Sequence, residues 1–416
     1  MGPWASAYLP PPSQRRVTDE PSDLPAGCTA PRLCCPLQPA REGAGATLGP
    51  VSQHTTVEAL GIAVAAGVPV LLWGAPGTGK TSAINAMANA IGWPCETVIA
   101  AIREPSDFAG LPIVAGGEVR FAPPRWAQRL AASGKGVLFL DEISTAPPAV
   151  QAALLRVVLE RVVGDLPLPE GIVVIAAANP PEQAADGWDL AAPLANRFCH
   201  LDWTVEPAAF AQGLIGGFET PQIPTLPPAW VEDIPYTRGL VSAFISVRPG
   251  LACELPADAA RAGRGWPSPR TWDMAARLWA AAGAAGASTE AETALLTGAV
   301  GEGPGIELLM WHMEMDLPDP EDVLADPDAF EVPERHDRAH AVLSSVAAAV
   351  AAKSTPERWL AGWKVVGKVG EHAPDVGAVA ARTLAQCRPP GVSAPPEVKL
   401  FLPLLKDAGW LDGARS

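Results

Sequence analysis

The residues best placed to do chemistry in this chain sit where apolar runs end. "GAPGTGKT", Gly74 to Thr81, follows the apolar run "VPVLLW" and precedes the helical pattern "TSAINAMANAIG". Glycines at this spacing let successive backbone N–H groups turn toward one point, a nest for phosphate oxygens. The positive end of the helix that follows adds to the field. The spacing is that of the phosphate-binding P-loop, and the strand–loop–helix context is what makes such a pattern meaningful. Gly74, Ala75, Pro76, Gly77, Thr78, Gly79, Lys80, Thr81 and Ser82 are therefore the expected nucleotide-binding residues. Lys80 would reach the β- and γ-phosphates, and the Thr81 hydroxyl would ligate Mg²⁺.

Two more apolar runs end on polar groups. "VLFLDE" closes on Asp141 and Glu142, two acids that a core strand has no reason to carry unless something cationic or reactive lies above it. Asp141 suits the Mg²⁺ shell, directly or through water, and Glu142 suits activation of an attacking water. The competing reading is a pair of helix N-cap acids. "IVVIAAANP" closes on Asn179, whose amide can hydrogen-bond both a water and a phosphate oxygen. Parallel sheets bind ligands at the carboxyl ends of their strands, so the three ends should converge.

The elements that must position them alternate. Strand-like runs at 68–73, "CETVIA", 136–140, 172–178 and "CHLDW" (199–203) are separated by helical patterns such as "RWAQRLAAS" and "PAVQAALLRVVLERV". This predicts a five-stranded parallel sheet covered by helices on both faces, an α/β P-loop domain over 51–217. Residues 1–50, rich in Pro, Gly and Ala without period, read as a disordered tail. "FETPQIPTLPPAW" is a proline-rich exit leading into helical patterns, giving a second unit over 218–313. Residues 314–334 carry nine acidic side chains and no basic one, which reads as a solvated acidic connector opening a helical extension over 314–416.

Bulk properties narrow the class. A formal net charge of −15 over 416 residues argues against gripping nucleic acid by charge. The seven cysteines include no CxxC pair and no regular spacing, so neither a disulfide framework nor a zinc site is expected. The first residues show no charged-then-apolar targeting pattern, and "AVLSSVAAAVAA" is too short and too weakly apolar to cross a bilayer. A reduced cytoplasmic protein is the expectation.

Taken in order, "GAPGTGKT", "VLFLDE", "AAANP", "LANRF" and "SPRTW" resemble the AAA+ ATPases, specifically the MoxR-like branch, over about residues 54 to 300. "SDFAGLPIVAGGEVRFAPPRW", with Gly116–Gly117 as a hairpin tip, resembles the insertion in helix 2 that marks this branch, and "RVVGDLPLPEG" an abbreviated second hairpin. The resemblance implies ATP and Mg²⁺ as cofactors, with the helices after the sheet acting as a lid. It implies that Arg197 of "LANRF" reaches the ATP site of a neighbouring subunit, offsetting charge on the transferring phosphoryl group, a role suited to a guanidinium that stays charged. A structural salt bridge is the competing reading of Arg197. Arg270 of "SPRTW" would report the γ-phosphate from the lid, against a solvent-facing arginine as the alternative. An arginine acting in trans requires assembly, and head-to-tail contacts that close make a ring. The family norm is a hexamer, with a von Willebrand factor A-type protein as companion in maturing or remodelling a protein client.

Two other functions fit parts of the pattern. A nucleic-acid-directed AAA+ motor of the GTP-using restriction type is opposed by the acidic balance, and a non-hydrolysing nucleotide-bound scaffold by Asp141–Glu142. His336 and His340 share a helix face but have no third ligand, so they read as a solvated face. Arg156 and Arg161 follow "DEIS" and are open between a subunit contact and none. Trp188, one of fourteen tryptophans, is a candidate interface residue.

Overall fold

The computed structural model describes residues 52–180, 189–218, 220–315 and 317–407. The N-terminal tail and Trp188 lie outside them. Nine strands occur among the described residues: β1 (Val70–Trp73), β2 (Cys95–Ile99), β3 (Leu111–Ala115), β4 (Glu118–Ala122), β5 (Lys135–Asp141), β6 (Val162–Val163), β7 (Leu166–Pro167), β8 (Gly171–Ala178) and β9 (Cys199–Asp202). Five of them form one sheet in the order β2-β5-β8-β1-β9, every neighbouring pair parallel. The expected α/β sheet is present.

Both faces of the sheet are covered, which is why its strands read as unbroken apolar runs. Val70, Leu72, Val137, Phe139, Ile175 and Ala177 face a cluster shared with the helices Gln53–Ala65 and Lys80–Ala90. Their neighbours Leu71, Leu138, Leu140, Val174 and Ala176 face a second cluster under the helices Arg125–Ser133 and Pro148–Glu160. After β1 the chain crosses to the far edge and returns through β5 and β8, while β9 is added on the other side of β1. The direction of winding therefore reverses beside β1, the position where sheets of this type place their ligands.

Two hairpins interrupt this framework. β3 and β4 pair antiparallel with Ala115 opposite Glu118, and the two tip residues Gly116 and Gly117 have φ of +63° and +87°. That left-handed pair is the backbone of a type I′ turn, so the Gly-Gly signal is borne out. β6 and β7 pair over two residues only, the abbreviated hairpin.

Beyond the sheet the chain is helical. Ile234–Val247, Pro269–Ala285, Thr289–Val300 and Glu302–Met315 join the first core cluster and so pack against the sheet side that carries Gln53–Ala65. Polar ties reinforce this packing. Ser288, the N-cap of one of these helices, donates through its backbone N–H and its hydroxyl to the Glu58 carboxylate (2.9 and 2.6 Å). Arg277 Nε donates to the carbonyl of Ala66 at the C-terminal end of the first helix (2.7 Å). The helices His336–Ala352, Pro356–Gly370 and Pro374–Gln386 enclose a third cluster around Trp359 and Trp363.

The acidic stretch departs from the expected solvated connector. It contains the helix Pro320–Ala325, whose Val323 and Leu324 are buried in the third cluster. Its carboxylates stay at the surface, where Glu321 pairs with Arg358 and Asp328 with Lys364. Spacing explains the difference. The few apolar residues between the acids fall on one helical face, so the segment docks while its charges remain wet.

Candidate functional site

The loop after β1 is bent by glycines where no other residue fits. Gly77 and Gly79 have φ of +79° and +86°, and a Cβ at Gly74 would lie 2.5 Å from the carbonyl oxygen of Trp203. The indole N–H of Trp203 in turn donates to Thr78 O (3.0 Å), so the segment after β9 pins the loop from the side. Lys80 begins the next helix and is 7% exposed, its ammonium donating to Gly74 O (2.5 Å) and Ala75 O (3.0 Å). Burial lowers its pKa, opposed by the negative charges of Asp141 and then Glu142.

The other two strand ends meet this loop. The Thr81 hydroxyl donates to Asp141 Oδ2 at 2.8 Å, and Lys80 Nζ lies 3.4 Å from Asn179 Oδ1. Lys80, Thr81, Asp141 and Asn179 therefore converge, as three polar strand ends in one parallel sheet require. Glu142 follows Asp141 with φ +55°, one of two non-glycine residues in the left-handed region among those described. Such a conformation costs of order 1 kcal/mol or more and persists where the surroundings over-determine it. Here the Glu142 N–H is held by Asp141 Oδ1 (3.0 Å), and its carbonyl by the Thr145 hydroxyl (2.9 Å). Neither acid caps a helix of regular length. A hydroxyl and a carboxylate oxygen side by side are the hard donors that suit Mg²⁺.

Arg197 lies elsewhere. Val70 pairs with Cys199, so Arg197 precedes the amino end of β9 while Lys80 follows the carboxyl end of β1, roughly 13 Å of strand away. Its guanidinium donates to Pro193 O, and its buried Nε has no hydrogen-bond partner among the described residues. Burial, and then the positive charge of Arg270, holds its pKa below the ordinary value. No carboxylate pairs with it among the described residues. Arg270 is exposed, and the segments carrying the two arginines are bonded together. Ser268 Oγ donates to Asn196 Oδ1 (2.8 Å), and Asn196 Nδ2 donates to Trp266 O (3.1 Å). Ser268 also opens the helix of Arg270 through a capping box with Thr271.

Several contributors were not legible in the sequence. Ser144 exchanges hydrogen bonds with the backbone of Asn179 (3.3 and 3.4 Å) and so fixes that strand end. Trp73, the last residue before the loop, donates its indole N–H to His200 Nδ1 (2.9 Å) and lies under the Arg264 guanidinium, 4.2 Å from the ring centroid. Their partners are remote in sequence, and no local pattern marks them.

The remaining candidates separate. Arg156 makes an i,i+4 pair with Glu160, and Arg161 donates to the carbonyls of Pro169, Glu170 and Ile172, so both are engaged within their own chain. His336 is exposed, but His340 is half-buried beside the Ser344 hydroxyl (3.4 Å), which corrects the solvated-face expectation for that residue.

Comparison with known proteins places these features. Two solved structures have related coordinates. One is a candidate ATPase from Cytophaga hutchinsonii, 19% identical, with a TM-score of 0.42 over 65% of this chain and 91% of that one. The other is a full-length MCM homolog from Methanopyrus kandleri, 17% identical, with a TM-score of 0.34 over 58% and 55%. A segment of 137 residues is 32% identical to Chaperone MoxR1 of Mycobacterium tuberculosis, covering 32% of this chain and 35% of the relative. The match thus spans about a third of that protein's length. Residues 69–198 match the AAA domain (dynein-related subfamily), a span that holds the P-loop, Asp141, Glu142, Asn179 and Arg197 and stops short of Arg270. With its ordered motifs and parallel sheet, residues 69–198 form an AAA domain, and the chain is similar there to MoxR-like ATPases.

Proposed function

We propose that the chain hydrolyses ATP at the interfaces of a ring of its own copies and uses the cycle to remodel a protein client. The observation that carries this reading is the convergence of Lys80, Thr81, Asp141 and Asn179 on one glycine-bent loop. The loop amides and Lys80 would cradle the β- and γ-phosphates. Thr81 and Asp141 would hold Mg²⁺, which when bound neutralises charge on the β- and γ-oxygens. Glu142 would orient and deprotonate the attacking water, while Asn179 fixes that water against the γ-phosphate.

One piece of the constellation is missing from its own site. Arg197 has a buried guanidinium nitrogen without a partner, no ion pair among the described residues, and a place beyond the opposite end of the sheet. A cation so placed serves a neighbour's phosphates, which supports action in trans. Arg270, tied to the same edge through Ser268 and Asn196, would face that neighbour as well. Assembly is then part of catalysis, and a closed head-to-tail ring of six copies is the proposed form.

Likeness to a chaperone supports a protein client. The β3–β4 hairpin fits a client-contacting element, since Ile113, Val114, Val119 and Phe121 are all exposed on it. A von Willebrand factor A-type companion and a cytoplasmic setting belong to this proposal on the family resemblance alone. No helix among the described residues is long and apolar enough to cross a membrane.

Mixing two inactive chains tests the proposal. Arg197→Ala chains keep Glu142 but lend no arginine, and Glu142→Gln chains lend arginine but do not turn over. Together they should recover phosphate release that neither shows alone. A mixture as inactive as its parts contradicts hydrolysis in trans.

A further inference from the structure

The arginine loop and the phosphate loop of one chain are joined by a single buried side chain. His200, on β9, is 8% exposed and uses both ring nitrogens. Its Nδ1 accepts from the indole N–H of Trp73, the residue that leads into Gly74 (2.9 Å). Its Nε2 lies 2.9 Å from the carbonyl oxygen of Ala195, two residues before Arg197. An indole N–H can only donate, so Nδ1 must be the bare nitrogen and Nε2 must carry the proton given to Ala195. One neutral tautomer satisfies both ends. Burial, the largest influence, pushes the pKa down to about 4, so that tautomer persists through the neutral range.

The surroundings leave this link little freedom. The Trp73 and His200 rings are nearly coplanar, their planes 14° apart and centroids 6.2 Å apart, and the Arg264 guanidinium lies over the Trp73 ring. Behind β9, the helix Thr289–Val300 comes so close that a Cβ on Gly298 would lie 2.3 Å from His200 O. A displacement of the strand entering the phosphate loop would therefore reach Ala195 through His200.

We propose that His200 is a positioning residue: through Trp73 and Ala195 it ties the phosphate loop of a subunit to the loop from which that subunit presents Arg197 to its neighbour. The inference rests on the trans reading of Arg197. A buried histidine that merely fills the core would support its own chain's site and lend nothing to the next.

The two-chain mixture separates these cases, because donor and acceptor of arginine are different molecules. His200→Asn keeps an acceptor near the Nδ1 position but loses the reach to Ala195, whereas His200→Gln keeps a donor near the Nε2 position. Introduced into the Glu142→Gln donor, His200→Asn should slow the recovered phosphate release about tenfold more than in the Arg197→Ala acceptor, since misplacing a catalytic group by about 1 Å can cost 10²-fold. His200→Gln keeps the donor to Ala195 but offers Trp73 no acceptor at the Nδ1 position, so it should show the same donor-side bias. Trp73→Phe, which removes the indole N–H together with part of the ring, should show the same donor-side bias and replaces His200→Asn if that chain does not fold. Equal losses on the two sides, or no loss on the donor side, overturn the inference. Failure of the mixture to recover with His200 intact overturns instead the trans reading beneath it.

Discussion

Lys80 is an ammonium largely removed from water and held by carbonyl oxygens of its own loop. Phosphate would replace neutral acceptors with charged ones, which form hydrogen bonds roughly twice as strong. Lys80→Ala should therefore weaken binding of a fluorescent ATP analogue by at least about 100-fold, on the order of 3 kcal/mol for a charged contact. Glu142→Gln should leave that affinity within about threefold and lower kcat by about 10² or more, the range of general-base catalysis. Loss of affinity in Glu142→Gln would mean that the acid binds nucleotide rather than activating water. Lys80 and Thr81 were legible from the glycine spacing that follows an apolar run, and Asp141 and Asn179 because each ends such a run, where a polar group needs a reason. Ser144, Trp73, Trp203 and His200 were not. Their partners lie 35, 127 and 125 residues away, the 127 being the Trp73–His200 pair, and period or composition carries no trace of such contacts.

At the scale of elements, β9 is held on both sides, by β1 through the sheet and by the helix Thr289–Val300 through Gly298. Alanine is the better helix former by about 1 kcal/mol, yet Gly298→Ala should lower the Tm, because a Cβ 2.3 Å from a carbonyl forces strand and helix apart. Overpacking of this kind costs about 1–3 kcal/mol, enough to reverse the propensity gain. A raised Tm would contradict the close packing. His200 adds a pH dependence whose sign follows from its depressed pKa of about 4. Above about 6.5 the ring is neutral both folded and unfolded and costs nothing; as pH falls from 6.5 toward 4 the unfolded chain takes up the proton first, and stability is lost. The loss approaches about 3 kcal/mol at the acid end, and His200→Gln should abolish that part of the Tm decline. The parallel sheet and the first hairpin were legible from alternating elements and the Gly-Gly tip, and the second hairpin only through the family resemblance. The fixing of the helices that follow the sheet by Glu58, Arg277 and Gly298 was not legible, because those ties cross from one unit of sequence to another.

Three apolar clusters hold the described residues together. Two flank the sheet and the third, around Trp359 and Trp363, is closed by the acidic stretch through Val323 and Leu324. In the Arg358–Glu321 pair on that stretch the guanidinium is half-buried but the carboxylate is exposed, and pairs open to solvent contribute about 0–1 kcal/mol. Glu321→Gln should accordingly shift the Tm only slightly, while Leu324→Ala should lower it clearly, by about 2–5 kcal/mol of stability if the site does not collapse. The reverse ranking would make the acidic stretch an electrostatic clasp rather than a docked helix. Composition favoured the solvated reading because charge dominates an average, whereas docking needs only two apolar side chains on one face. The largest consequence of the proposed function at this scale is that a chain alone would hold a phosphate loop without the arginine that completes it. The direct measurement is ATP turnover per chain across a dilution series, with assembly followed by sedimentation in the same samples. Turnover should be near zero where the chain is monomeric, rise with the assembled fraction and level off when assembly is complete. A sedimenting monomer that hydrolyses ATP at the plateau rate would contradict the account.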